Sequence, residues 1–171
     1  MEYKEQSIKF NLPNGHVVDL LYPQLNEMIK YKQDHYDSPE SCGFILGYQN
    51  ASTNNITISE ITTPQKQDYR SRFFCTLRDA FHFHVLRTGM EKHRNYYIGV
   101  WHTHPQSIPE PSSIDMSEWA ETIKKDKSGA DYFFFIIIGT REFRVWVGDK
   151  ETSRISEVFE TEQSNGLYLR G

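Results

Sequence analysis

Two histidines separated by one residue, His102 and His104, end the apolar run YYIGVWHTH, and Pro105 follows at once. Imidazole nitrogens bind divalent metals, and a catalytic zinc takes three protein ligands while keeping a fourth position for water. On an extended strand, residues i and i+2 leave the same face with Cα atoms roughly 6.6 Å apart. From there both rings can turn onto one ion about 2 Å from each ligating nitrogen. The chain carries its own control in His82 and His84, which have the same spacing within AFHFHVLRTG, a stretch that reads as a helix ending at Gly89. Helical residues two apart diverge by about 200°. That pair cannot share an ion, so one is expected exposed and the other packed with an ordinary hydrogen bond.

A third ligand should follow Pro105, and Asp115 stands at the start of the next predicted helix. Ser112-Ser113-Ile114-Asp115 also reads as a capping box with Asp in place of the usual Glu. An acid in the first turn is favoured by the helix dipole in any case. Beside a His-x-His pair on a buried strand, ligation is the stronger reading. Hydrolysis at a metal also needs a base that takes a proton from water and returns it to the departing amine. Glu40, in DSPES just ahead of CGFILG, is the candidate, although a lone Glu in a loop is more often a surface residue. Cys42, two residues on, has no evident thiolate-activating partner and reads as a small buried apolar residue. His16, His35 and His93 are isolated.

The elements that would position these residues form an α/β pattern. A polar lead-in and a short strand around Val17 to Leu21 precede a helix opened by Pro23, with Leu21, Leu25, Met28, Ile29 and Lys32 on one stripe and DSPES at its close. CGFILGYQ and ITISEI read as strands separated by the turn-rich NASTNN. TTPQKQDYRSR is a polar connection, and FFC a brief strand. YYIGVWHTH is apolar enough to be buried on both faces. A helix from about Ser113 carries Met116, Trp119, Ala120 and Ile123 on one stripe. YFFFIII is the strongest strand, Gly139-Thr140 suits a two-residue hairpin turn, and EFRVWV alternates with Phe143, Val145 and Val147 on one face. RISEVFE ends the pattern as a strand or short helix. The expectation is one domain with a mixed sheet flanked by helices, its core running from about 17 to 159 before a loose tail.

Glu40, His102-Thr103-His104-Pro105 and Ser112-x-x-Asp115, with ten residues between His104 and Asp115, resemble the JAMM motif of the JAB/MPN metallopeptidases. The resemblance implies the JAB/MPN fold, zinc as cofactor, and His102, His104 and Asp115 as its ligands. It further implies Glu40 as the residue that activates water and Ser112 as a donor to the oxyanion, with capping alone as the competing role for Ser112. Members hydrolyse isopeptide or peptide bonds after the C-terminus of ubiquitin or ubiquitin-like proteins. GVWHTHP, IPEPSS and Trp119 are similar to the small stand-alone peptidases of bacterial CBASS anti-phage operons. In that branch a CD-NTase C-terminus is the conjugated group, so the implied partner is a protein with an extended C-terminal tail. Alternatives are a processing peptidase for ubiquitin-like or sulfur-carrier precursors, and a non-catalytic MPN scaffold. His2Asp would also suit another divalent ion.

The bulk properties fit. The 171 residues carry a net charge of −4, which offers no electrostatic footprint for nucleic acid. The polar opening MEYKEQSIKF lacks the apolar run of a signal peptide, and nothing approaches the ~20 apolar residues of a membrane span. A cytoplasmic protein with both thiols, Cys42 and Cys75, reduced is expected. The ending LYLRG is similar to the Leu-Arg-Gly of ubiquitin-like tails but reads as an ordinary terminus. PQKQDYRSR could border a groove in which a substrate tail adds as a strand.

Overall fold

A computed structural model describes residues 7–161. In chain order these form β1 (Ser7–Asn11), β2 (Val17–Leu21), α1 (Tyr22–Ile29), β3 (Cys42–Gln49), β4 (Ile56–Ile61), β5 (Tyr69–Ser71), β6 (Phe74–Thr76) and α2 (Ala80–Thr88). They continue with β7 (Tyr96–Thr103), α3 (Ser113–Lys125), β8 (Tyr132–Ile138), β9 (Phe143–Asp149) and β10 (Ile155–Val158). Eight strands make one mixed sheet in the order β1-β2-β4-β3-β7-β8-β9-β10, and β5 and β6 form a separate hairpin. The α/β class expected from the sequence is the one observed.

The centre of the sheet follows from side-chain alternation. Every residue of β8 is buried, and a strand sends successive side chains to opposite faces. Phe134, Ile136 and Ile138 join Trp101, Val145 and Val147 on the face covered by α1, which contributes Leu25 and Met28. Phe133, Phe135 and Ile137 join Trp146 on the other face, beneath Trp119 and Ile123 of α3. Trp119 stacks on Phe135 with centroids 4.4 Å apart. Each such large side chain taken out of water contributes on the order of 1.5–3 kcal/mol, so α3 is held chiefly through two residues. Strands β7 and β8 are parallel neighbours, and α3 is the crossover that such a pair requires.

Several expectations need correction. The polar lead-in expected before Val17 contains a strand, β1, in which Ile8 and Phe10 are buried and which pairs with β2. The first helix ends at Ile29, well before DSPES. On α3, Met116 and Ala120 are exposed, because the sheet reaches only the Trp119–Ile123 side of the helix. Gly89 does not stop the helical path; a π-helical turn, Gly89–His93, follows and ends at Arg94 in the left-handed conformation. Gly89 packs closely there, and a Cβ would lie 2.7 Å from Leu46 Cδ2. The β8–β9 connection spans four residues, 139–142, with Ile138 facing Phe143. Its backbone bonds to the loop after Pro105, with Thr140 N–H donating to Gln106 O at 2.8 Å and Glu142 N–H to Ser107 O at 3.1 Å. Gly139 N–H donates to Glu142 O at 2.8 Å, so the tip of the connection is residues 140–141, one place beyond the expected Gly139-Thr140.

The cysteines are not free thiols. Cys42 opens β3 and Cys75 lies in β6, and the hairpin folds back to bring their Cα atoms to 6.0 Å, where they form a disulfide. No helix among the described residues is long and apolar enough to cross a membrane. The LYLRG tail lies outside the described residues.

Candidate metal centre

His102 lies on β7 and His104 one residue past its end, both directed to the same side. Their Nε2 atoms are 3.0 Å apart. Asp115, in the first turn of α3, places Oδ1 3.3 Å from His102 Nε2 and Oδ2 3.1 Å from His104 Nε2. A tetrahedral zinc with bonds of about 2.0–2.1 Å has corners roughly 3.3 Å apart. The three donors therefore stand at the spacing a single ion requires, and their chemical types suit zinc. The control pair behaves as helical geometry dictates. His84 is exposed, whereas His82 is fully buried and bonded to Thr62 Oγ1 at 2.7 Å and Asp68 Oδ2 at 2.6 Å.

Capping and convergence on the histidines are compatible at Asp115. Ser112 N–H donates to Asp115 Oδ2 at 2.8 Å, and Asp115 N–H donates to Ser112 Oγ at 3.0 Å. The box thus fixes the carboxylate while aiming it at the histidines. Ser112 Oγ serves the cap as an acceptor, which leaves its own hydrogen available to donate elsewhere. Burial works to raise the Asp115 pKa, but hydrogen bonds from His102, His104 and Ser112 hold it far below the usual carboxylate range. Burial works to lower His104, yet Asp115, Gln106 and the charge of Glu40 raise it.

Glu40, Ser112, His104 and Asp115 line one cavity of about 350 Å³, bordered by Phe73 and Phe74 of the hairpin. Burial pushes the Glu40 carboxyl up to about 7; the nearby His104 opposes the rise, and Asp115 and Glu118 add to it. A carboxyl poised near neutrality is suited to take and return a proton at ordinary pH. The five residues singled out in the sequence thus come together at one end of the sheet.

Sequence reasoning missed the residues that hold them. Gln106 Oε1 accepts from His104 Nδ1 at 3.0 Å and from Glu110 N–H at 3.1 Å. A proton on Nδ1 leaves the Nε2 lone pair free for a metal. The only available signal was its position two residues beyond His104. Thr103, between the two histidines, points to the opposite side of the strand. Its Oγ1 accepts from Ser41 N–H at 2.9 Å and its hydroxyl donates to buried Gln33 Oε1 at 2.8 Å. Gly43 matters because any Cβ would collide with Thr62 O and the Trp101 indole, which donates to that oxygen at 2.9 Å.

Known proteins are similar over most of the chain. A protein of Vibrio cholerae serotype O1 named CD-NTase/cGAS isopeptidase is 29% identical over 156 residues, covering 90% of each chain. A protein of the same name from Escherichia coli strain TW11681 is 26% identical, covering 85% of this chain and 88% of its own. The solution structure of a Desulfitobacterium hafniense protein matches at 18% identity with a TM-score of 0.52, covering 84% of this chain and 88% of that one, a likeness of fold alone. Residues 23–149, well over half of the chain, match the sequence model of prokaryotic homologs of the JAB domain, and the chain belongs to that family.

Proposed function

We propose that the chain is a zinc-dependent isopeptidase of JAMM type that releases a protein joined through its C-terminus to a target. The observation carrying this reading is the convergence of His102, His104 and Asp115 at tetrahedral spacing beside a cavity that also holds Glu40. Two relatives that share most of their length with the chain bear the name CD-NTase/cGAS isopeptidase. A CD-NTase C-terminus is accordingly the first substrate to test, with a role in bacterial anti-phage defence. The one-domain, cytoplasmic reading of the sequence is carried forward with it. A scaffold role fits less well, since a scaffold has no use for a full ligand set with a base beside it.

When bound, zinc supplies a Lewis acid that polarises the scissile carbonyl and acidifies a water. His102, His104 and Asp115 would hold it, with Gln106 orienting His104. Glu40 accepts the proton of the attacking water and delivers it to the leaving amine. Ser112 donates its hydroxyl hydrogen to the developing oxyanion, a contribution on the order of 3 kcal/mol. Phe73 and Phe74 line one wall of the cavity and offer apolar contact to an extended tail.

The test is cleavage of a panel of CD-NTase, ubiquitin-like and sulfur-carrier fusions, with and without chelator. Chelation should abolish cleavage, and zinc should restore it. Glu40→Gln should keep its metal and lose at least about 100-fold in kcat. A variant that cleaves like the parent would remove Glu40 from the chemistry. Cleavage of the precursor fusions alone would move the reading to a processing peptidase.

A further inference from the structure

Glu40 lies in the irregular segment before β3, and a base on a loop must be held by something other than regular structure. The contacts that hold it come from the β5–β6 hairpin. Glu40 N–H donates to Ser71 O at 2.7 Å, and Arg70 Nε donates to Glu40 O at 2.9 Å. Arg70 Nη2 donates to the Ser41 hydroxyl. On its far side the same dipeptide is bound to the metal-binding strand, through Ser41 N–H to Thr103 Oγ1 and Thr103 N–H to Ser41 O, both at 2.9 Å. The Glu40–Ser41 unit is therefore clamped between the strand that carries the histidines and the fork of one arginine. Arg70 makes no ion pair among the described residues. Its partly buried charge feels the nearby Asp68, but its hydrogen bonds go to neutral oxygens of the residue that bears the base and of its neighbour.

We infer that Arg70 is a positioning residue for catalysis, fixing the backbone of Glu40 so that the carboxylate meets the water held at the metal site. The inference rests on the peptidase reading above. Lysine cannot reproduce the arrangement, because one ammonium on a flexible stem does not supply two donors in a fixed fork. The hairpin has a second, independent attachment in the Cys42–Cys75 disulfide. Loss of Arg70 thus loosens Glu40, which keeps only its N–H bond to Ser71, while the cavity wall formed by Phe73 and Phe74 stays tethered.

That separation makes the proposal testable with the full chain and the fusion that the parent cleaves best. Arg70→Ala should lower kcat by roughly 10- to 100-fold, the loss expected when a reacting group shifts by about 1 Å, with KM within about threefold of the parent. Arg70→Lys should fall between the two. The zinc-induced rise in Tm should be unchanged in both, and amide exchange over residues 38–42 should quicken. A parental kcat, or a loss confined to KM, overturns the inference and reduces Arg70 to support of the groove. If Arg70→Ala does not fold, Arg70→Lys carries the test: a kcat loss of at least about threefold supports the inference, and a parental kcat overturns it. Glu40→Gln is measured alongside. If that variant is active, the peptidase reading fails and the inference with it; if it is dead while Arg70→Ala is unimpaired, only the inference fails.

Discussion

At Glu40 one carboxyl group meets opposing demands. The proposed chemistry needs a base near neutrality, and burial suits Glu40 to it by raising the pKa from 4.5 to about 7. The folded protein then keeps this proton at pH values where the unfolded chain has released it. In the metal-free protein, stability attributable to this group is unaffected below about pH 4.5, falls as pH rises toward 7, and is fully lost above 7. A shift of that size corresponds to on the order of 1–3 kcal/mol after allowance for partial solvent contact. Glu40→Gln should therefore unfold at higher denaturant than the metal-free parent at pH 8 and match it at pH 4. Two curves that coincide across the range would refute the raised pKa. Gln106 is a second residue with a separable effect, since it touches His104 and the 110 amide but no reacting group. Gln106→Ala should weaken zinc about 10- to 100-fold in chelator competition, the usual cost of losing an orienting partner. An unchanged zinc affinity would mean that the ring holds its orientation without the amide.

Among the elements, those that declare themselves locally were legible in the sequence. The apolar run YFFFIII, the alternation of FRVWV and the Ser112–Asp115 box each encode their structure within a few residues. The spacing of the candidate ligands could be read because His102 and His104 stand together at the end of one strand and Asp115 opens the next helix. What escaped notice depends on partners distant in sequence. β1 is a strand because β2 lies beside it, and Met116 is exposed because the sheet stops short of its side of α3. The FFC strand was legible, but its partner β5 comes from the polar connection before it, and the disulfide of the hairpin joins residues 33 positions apart. By the chain-entropy argument a loop of that length contributes about 4 kcal/mol. Cys75→Ser should lower the free energy of unfolding by about that amount and raise KM, because Cys75 and the neighbouring Phe73 and Phe74 line the cavity. Reductant should do to the parent what the mutation does. If reductant changes neither stability nor KM, the bridge is dispensable to the groove, and the expectation of reduced thiols in a cytoplasmic protein regains its footing.

For the molecule as a whole, the position of the site follows from topology. The carboxyl end of a parallel strand opens onto the crossover that leads to its neighbour, which is where open α/β sheets place their ligands. Here β7 delivers the histidines, the crossover delivers Asp115, and the loop before β3 brings Glu40 from the adjacent antiparallel strand. These groups are brought together only in the folded chain, so a metal that binds them binds the native state and stabilises it by mass action. At a free zinc concentration of one hundred times Kd the gain is about 2.7 kcal/mol, or roughly 5–11 °C in Tm for a domain of this size. His102→Ala should fold, because its backbone pairing with Cys42 survives, yet lose most of that rise. Glu40→Gln, which removes no ligand, should keep it. Calorimetry of the three proteins with and without zinc separates metal binding from catalysis in one measurement. An equal rise in His102→Ala and parent would place the bound metal elsewhere on the chain.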